Sequence, residues 1–251
     1  MKHVFVVFLV FAGSIASAQT HDAGSLSGTP ALADFGPAAM ARGAFTLPTS
    51  MQAPQDRGPL LAPIFPFYSP ENGLSEWGMG WANALVITRT GRLGGAPTDF
   101  CFCDNDQFNS PWGRLVPNAA VNGTFYPSAL LPQVRVVHSG TIMVATLPDG
   151  SVWTFGGPNQ VNVSGGTYAW YLTSVVDTAG HQTALSYTAN PSGRLFLTTV
   201  NYGADFQYLI QIAYTSSGIV AQKSYISGVE RDLDRLVDHI TFEASHYCWH
   251  P

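Results

Sequence analysis

Histidines are the side chains of this sequence best suited to proton transfer near neutral pH. Beyond the first residues they are His21, His138, His181, His239, His246 and His250. His138 stands next to Ser139, but a nucleophile and its base must be close in space rather than in sequence. The chain has no G-x-S-x-G elbow, no H-E-x-x-H pair and no P-loop. We therefore predict no catalytic residue and expect each histidine to have an ordinary surface or core role.

A fragment of a dinucleotide-binding fingerprint is present but incomplete. Gly78-Met79-Gly80 begins the G-x-G-x-x-G pattern, and Asn83 stands where the third glycine belongs. Trp77 and Trp81 flank the two glycines, which is typical of tight backbone packing under aromatic rings. We predict no cofactor-binding residue here.

One oxygen-rich stretch could in principle hold calcium. It consists of Asp104-Asn105-Asp106 together with Asn109. The glycine and the glutamate that an EF-hand loop requires are absent. An Asx-rich turn is the better interpretation of this stretch, and calcium binding is a hypothesis that an isothermal titration would test.

Three cysteines allow either one disulfide or a contribution to a metal site. Cys101 and Cys103 would face the same side of a strand, and either could pair with Cys248. His246 and His250 alternate with Cys248, so the C-terminus could form a zinc site with the first two cysteines. The close cysteine pairs of known zinc sites are absent, and we therefore predict no metal ligand.

Aromatic residues are frequent in the segments that resemble strands. They are Trp153, Tyr168, Trp170, Tyr171, Tyr187 and Tyr202. Rings of this kind stack on sugars in glycan-binding β-modules, but they also fill sheet cores. Trp170 and Tyr171 are adjacent and would point to opposite faces of a strand, so at least one of them should be in the core.

The composition favours sheets over helices. Charged residues make up 11% of the chain and hydrophobic residues 46%, and the formal net charge is −5. Lysine and glutamate, which usually cover exposed helices, are scarce. A mildly acidic chain without a basic stripe is a poor partner for nucleic acid. The apolar content argues against disorder.

The N-terminus has the features of an export signal. A basic start at Lys2 precedes the apolar run Val4 to Ile15 and the small residues Ala16-Ser17-Ala18. We predict a signal peptide over 1–18, cleavage after Ala18, a secreted mature chain without a membrane span, a flexible leader over 19–42 and a β-rich module over 43–251.

Short β-branched runs separated by turn residues fill the module. The turns include Pro148-Asp149-Gly150, Asp177 to Gly180 and Asn190 to Gly193. Because no helical run lies between successive strands, the pattern predicts antiparallel hairpins. Pro127 to Pro132 and Gly156 to Gly166 have the composition of loops.

Val229 to Ile240 is the one ambiguous segment. Its apolar residues fit a helical period of 3.6, but three aspartates interrupt that period. The sequence therefore leaves helix and strand open here.

Several short motifs resemble, in the same order, those of the Salmonella plasmid virulence protein B (SpvB) family. That family includes the B components of insecticidal toxin complexes, which carry Rhs/YD-type repeats. The resembling stretches are Gly43-Ala44-Phe45-Thr46-Leu47-Pro48, Pro59 to Ser69, Asn72-Gly73-Leu74 with Trp77-Gly78-Met79-Gly80-Trp81, Ile87-Thr88-Arg89, Leu147 to Gly156, Trp170-Tyr171-Leu172, Tyr225-Ile226-Ser227-Gly228 and Arg235 to Ile240.

The resemblance implies an all-β fold in which antiparallel hairpins form an open or partly closed Rhs-shell-like sheet. In the family such hairpins form a wall around a toxic passenger. Family members continue for hundreds of residues beyond the position of Pro251, so truncation of the module at this end stays open. Family enzymes carry ADP-ribosyltransferase chemistry in a separate domain with a Glu-x-Glu pair. The glutamates of this chain form no such pair: Glu71, Glu76, Glu230 and Glu243.

The leading hypothesis is a secreted, non-catalytic structural module of a virulence or insecticidal toxin complex. Its partners would be other toxin-complex components or the remainder of a shell protein. The alternative is a stand-alone secreted β-module that binds cell-surface glycans. A secreted hydrolase has no motif to support it.

Overall fold

The computed structural model describes residues 4–8, 47–49, 51–54, 59–70, 72–90, 102, 106–117, 125–128, 131–216, 222–226 and 229–244. Within these residues the structure is almost entirely β, as predicted, and no helix is long and apolar enough to cross a membrane. The predicted leader lies outside the described residues.

The strands of the N-terminal half are short. They are β1 (Val4–Phe8), β2 (Leu47–Pro48), β3 (Phe67–Tyr68), β4 (Leu74–Ser75), β5 (Gly78–Met79), β6 (Trp81–Ala82), β7 (Val86–Thr90), β8 (Gln107–Ser110), β9 (Gly113–Leu115) and β10 (Phe125–Pro127).

The strands of the C-terminal half are longer and follow one another as hairpins. They are β11 (Arg135–Ser139), β12 (Ile142–Thr146), β13 (Val152–Val163), β14 (Gly166–Val176), β15 (Gln182–Ala189), β16 (Leu195–Tyr202), β17 (Tyr208–Ser216), β18 (Gln222–Ile226), β19 (Val229–Leu233) and β20 (Arg235–Ala244). A 3-10 turn, Ala204–Phe206, precedes β17.

Thirteen strands form the main sheet, and every pair in it is antiparallel. The order is β1-β20-β17-β16-β15-β14-β13-β12-β11-β10, and β7, β8 and β9 branch from β14. A single bridge between Leu115 and Ser128 brings β9 next to the end of β10 without a continuous ladder. The sheet is therefore open, which confirms the predicted fold class.

Local turn chemistry sets the hairpins. Gly150 has φ +82 and donates its N–H to the Leu147 carbonyl at 3.0 Å. The Asp149 carboxylate accepts the N–H of Ser151 at 2.9 Å. Glycine supplies the positive φ and aspartate the side-chain acceptor, so this turn forms where the sequence predicts it.

Cross-strand rows give the sheet one buried and one open face. One row of paired residues is buried throughout and runs from β11 to β15: Val136, Ala145, Trp153, Val175 and Thr183. The neighbouring row is exposed or half-buried: Val137, Val144, Thr154, Ser174 and Ala184. The period of two along each strand produces this alternation.

The N-terminal part of the chain packs on the buried face. We call residues 51–54, 59–70 and 72–85 the covering segment. The Tyr202 hydroxyl donates to the Pro54 carbonyl at 2.9 Å, and the Leu61 N–H donates to Thr183 Oγ1 at 3.1 Å. The Leu172 N–H donates to the Leu85 carbonyl at 2.7 Å. These bonds attach a non-repetitive segment to three strands of the sheet.

The structure corrects one expectation from the sequence and resolves one segment that the sequence left open. The predicted loop Gly156 to Gly166 is wrong over most of its length, because β13 continues to Val163 through a bulge. The ambiguous segment Val229 to Ile240 forms β19 and β20 rather than a helix. The other predicted loop, Pro127 to Pro132, begins at the last residue of β10.

The bulge in β13 depends on a glycine packed under a tryptophan. Gly156 has φ +87, and its carbonyl accepts a hydrogen bond from the Thr173 hydroxyl at 2.8 Å. A Cβ at Gly156 would lie 2.5 Å from the Thr141 carbonyl oxygen and 2.5 Å from Trp170 Cδ1. The bulge therefore requires glycine for both conformation and space.

Substituting Gly156→Ala should lower the free energy of unfolding by about 2–5 kcal/mol, since the methyl group adds overpacking to positive-φ strain. Gly180→Ala is the matched control, because Gly180 has φ +86 and nothing within 4 Å of its added Cβ. The control should lose about 1–2 kcal/mol. Urea unfolding measures both, and equal losses would contradict the packing argument.

Candidate functional site

A buried ion pair joins two separate parts of the chain. Arg89 Nη1 in β7 lies 2.7 Å from Asp106 Oδ2, just before β8, and the two side chains are 5% and 0% exposed. Arg89 Nε also donates to the Thr167 carbonyl of β14 at 3.0 Å. Asp106 belongs to the stretch considered for calcium, and in the structure its carboxylate binds Arg89. A buried carboxylate paired in this way is a structural group.

Aromatic rings surround the Arg89 guanidinium. Its central carbon lies 5.3, 5.0 and 5.5 Å from the ring centroids of Phe102, Phe108 and Trp170. The His138 ring packs edge-on against Trp170 at 5.4 Å. These rings exclude water from the ion pair and add cation–π attraction. His138 thus contributes to a core contact, and its Nε2 lies 3.1 Å from the Gly140 carbonyl oxygen.

The other described histidines lie beside aspartates on the surface. His181 Nδ1 lies 2.8 Å from Asp177 Oδ2, and the His181 N–H donates to Asp177 Oδ1 at 2.8 Å. Hydrogen bonds from His181 lower the pKa of the Asp177 carboxyl. His239 Nδ1 lies 2.9 Å from Asp238 Oδ2. The first pair closes the turn between β14 and β15.

Most of the metal candidates fall outside the described residues. These are Cys101, Cys103, Asp104, Asn105, His246, Cys248 and His250, and His21 lies outside them as well. In the part of the chain that the structure describes, no three His, Cys, Asp or Glu side chains come together in a way that could hold a metal ion. The disulfide and zinc alternatives stay predictions.

The glycine pair near Trp77 serves packing. Gly78-Met79-Gly80 runs through β5 and the turn into β6, where Gly80 has φ +80. A Cβ on Gly80 would collide with the Tyr68 ring, which packs edge-on against Trp81 at 5.5 Å. The residues lie in short strands, and no helix starts here to receive a phosphate.

Half of the six aromatic residues considered for glycan stacking are in the core. Trp153, Trp170 and Tyr202 are 8%, 0% and 0% exposed, so these rings are inaccessible to a sugar. Tyr171 packs edge-on against Tyr187 at 5.3 Å, and burial raises the pKa of Tyr171 to about 12. Trp170 is fully buried, so at least one member of the Trp170–Tyr171 pair is in the core, as predicted. Glycan binding itself stays a prediction.

A mixed aromatic and charged cluster, missed from the sequence, joins the covering segment to the far strands. Arg194 Nη2 lies 3.4 Å from Glu76 Oε2, and the Val237 N–H donates to the Glu76 carbonyl at 2.8 Å. The Arg235 guanidinium lies 4.8 Å from the Phe196 ring centroid. Glu76 and Arg194 are 118 positions apart, so no local pattern could have indicated this contact.

Arg231 connects the β18–β19 hairpin to two other parts of the fold. Arg231 donates from Nη1 to the Ser192 carbonyl and from Nη2 to the Asn162 carbonyl, the latter at 2.8 Å. Asn190 Nδ2 donates to the Asp232 carbonyl at 2.9 Å. The hairpin is thereby tied to the β15–β16 turn and to the end of β13.

The open side of the main sheet forms a broad surface of mostly short side chains, which are uncharged apart from the exposed Arg135 opposite Thr146. We call it the uncharged face and define it by these residues of β11 to β15: Val137, Val144, Thr146, Val152, Thr154, Ser174, Val176, Gln182 and Ala184. Val137 is 43% exposed and Val152 37% exposed. Apolar side chains presented on an otherwise polar face suit contact with another protein layer.

The polar clusters in the described residues therefore hold strands together. Replacing Asp106 with leucine tests this structural role, because it leaves the Arg89 charge buried and unpaired. Asp106→Leu should destabilise the fold by about 3–5 kcal/mol, and the double variant Arg89→Met/Asp106→Leu by much less. Urea unfolding gives both values. Equal losses in the single and double variants would contradict a structural ion pair.

Comparisons of sequence give no relative. No protein-family model matches the chain, and no curated protein matches it significantly.

Comparisons of structure give clear neighbours at low identity. The crystal structure of TcdB2-TccC3 is 18% identical with a TM-score of 0.60, over 80% of this chain and 13% of that chain. The N-terminal domain of effector protein SpvB from Salmonella typhimurium strain LT2 is 15% identical with a TM-score of 0.58, over 79% of this chain and 87% of that chain. A Photorhabdus luminescens Tc holotoxin pore gives 18% identity and a TM-score of 0.55, over 79% of this chain and 13% of that chain.

The chain therefore spans about an eighth of the TcdB2-TccC3 chain and most of the SpvB N-terminal domain. At these identities the likeness establishes the fold, and it confirms at that level the resemblance predicted from the motifs. The chain has the fold of the SpvB N-terminal domain and of the matching segment of TcdB2-TccC3.

Proposed function

We propose that this chain is a structural module of a toxin complex, which acts by assembling with other β-hairpin segments and has no active site of its own. The observation that carries the proposal is the match to 87% of the SpvB N-terminal domain, with the same fold in TcdB2-TccC3. Its partners would be other toxin-complex components or the remainder of a shell protein. The chain would reach them after export and cleavage following Ala18.

The arrangement of charges supports an assembly role. Arg89 pairs with Asp106 in the core, and Arg194 pairs with Glu76 of the covering segment. These charges join strands, while the residues that define the uncharged face carry none and Arg135 lies beside them. The residues of the uncharged face can be covered by another layer without desolvating a charge, which would otherwise oppose association.

A lysine on the uncharged face should prevent assembly without unfolding the chain. Val137→Lys places a charge at a residue that is 43% exposed, in β11 at one side of that face. A tagged wild-type chain, isolated from the organism that encodes it, should elute with larger β-rich polypeptides. The Val137→Lys variant should retain about a tenth of them or less, since burying an unpaired charge is unfavourable.

Leu131→Lys is the matched control, because Leu131 is 41% exposed in the turn before β11 and lies off the uncharged face. Both variants should keep the thermal midpoint of the wild type. Equal recovery of partners with the two variants would contradict an assembly role for the uncharged face.

The purified chain should show no ADP-ribosyl transfer. Glu76 is half-buried, its Oε2 lies 3.4 Å from Arg194 Nη2, and the sequence has no Glu-x-Glu pair. Incubation with labelled NAD⁺ and mixed acceptor proteins should give no labelled product, whereas an active transferase run in parallel should label them. Transfer that rises with the concentration of the chain would overturn the non-catalytic assignment.

A further inference from the structure

The last strand of the main sheet is paired on both sides. β20 pairs with β17 on one side and with β1 on the other. The β1 ladder runs from Val4 opposite Glu243 to Phe8 opposite His239. The outer backbone groups of residues 239–243 are therefore satisfied by a strand from the extreme N-terminus.

That N-terminal strand lies inside the predicted signal peptide. Cleavage after Ala18 would remove β1 and leave the outer backbone groups of β20 without their partner. A row of unpaired N–H and C=O groups on a sheet edge is a template for pairing with another strand. The part of β20 that β1 covers, residues 239–243, would then be open to pairing with another strand.

We propose that, once β1 has been removed, this edge pairs antiparallel with β20 of a second copy of the chain. A two-fold axis through Thr241 would place each Thr241 opposite its counterpart. Phe242 would then lie opposite Ile240 of the second copy, and Glu243 opposite His239. The contact would be isologous, as in most homodimers.

The side chains of β20 favour this occupant. Ile240 is 1% exposed, and the Phe242 ring packs against Phe65 at 6.3 Å, so these residues belong to the buried face. Pairing them across the axis continues the core face from one copy into the next. His239 and Glu243 alternate with them on the other face, where each imidazole would lie opposite a carboxylate that can accept its N–H, while Asp238 would face Ala244. Complementary polar pairs directly across two strands are stabilising.

The inference rests on the predicted signal peptide and goes beyond the proposed function, because an assembly module could use its uncharged face with or without this dimer. Substitutions of different residues test the β20 dimer and the assembly role. Loss of partners through Val137→Lys leaves the β20 edge untouched.

The test compares the complete chain with its exported form. The complete chain, produced without export, should be a monomer by light scattering. The form recovered after export, with its N-terminus at Gln19 by intact mass, should approach twice the monomer mass as its concentration rises. Export without removal of β1, dimers of the complete chain, or a monomeric processed chain at every concentration would each overturn the proposal.

Substitutions in β20 separate this dimer from other associations. Thr241→Lys brings two like charges together on the axis and should weaken dimerisation by about ten-fold or more. Thr199→Lys is the control, because Thr199 lies in the same cross-strand row through Gln211 but two strands further in. Its dimer should be unchanged.

A charge exchange completes the test. Glu243→Lys should weaken the dimer, since it places lysine opposite His239, and the double variant His239→Glu/Glu243→Lys should restore it. If Thr241→Lys leaves dimerisation unchanged, or if the double variant dimerises no more strongly than Glu243→Lys alone, the two copies associate through another surface.

Discussion

The buried pair between Arg89 and Asp106 joins the β7–β9 branch to the main sheet, and each partner requires the other because an unpaired charge at this depth is unfavourable. β14 is the branch point, because it pairs with β13, β15 and β7. Arg89 ties β7 to the residue before β8 through Asp106 and to β14 through the Thr167 carbonyl. The rings of Phe108 and Trp170 cover the guanidinium, so the pair is shielded from water and strongly coupled. Without the pair, β7 would lose its ion pair with Asp106 next to the strand pairing between β7 and β14.

The buried face of the sheet contributes to stability, and the open face is the one proposed to associate with other protein. Burial of one face requires a cover, and the covering segment supplies it through single hydrogen bonds and aromatic contacts rather than through long ladders. Its attachment points, Pro54, Leu61, Glu76 and Leu85, are spread over several strands. The stability of that layer is therefore non-local. The opposite face carries only Arg135 as a charge in its described rows, and a mostly uncharged surface suits contact with another layer.

The sequence was sufficient where structure is decided locally and insufficient where distant residues decide it. The turn at Gly150 follows from residues within the turn itself. The loop predicted at Gly156 is wrong because Thr173 and Trp170 hold the glycine in a bulge of β13. The apolar residues of Val229 to Ile240 fit a helical period although the segment is two strands. β19 ends at Leu233, and a register shift in β20 leaves Val237 and Ile240 both buried although they are three positions apart. Asp106 was recognised as a candidate ligand, but its partner in β7 could not be found from spacing.

The most direct test of the central claim is single-particle electron microscopy of the particle that contains a tagged copy of this chain in the organism that encodes it. A toxin-complex module should appear as part of a wall of antiparallel hairpins, with Val137 and Val152 covered by neighbouring protein. A chain that is found alone, with both valines open to solvent, would contradict the account and remove assembly as its function.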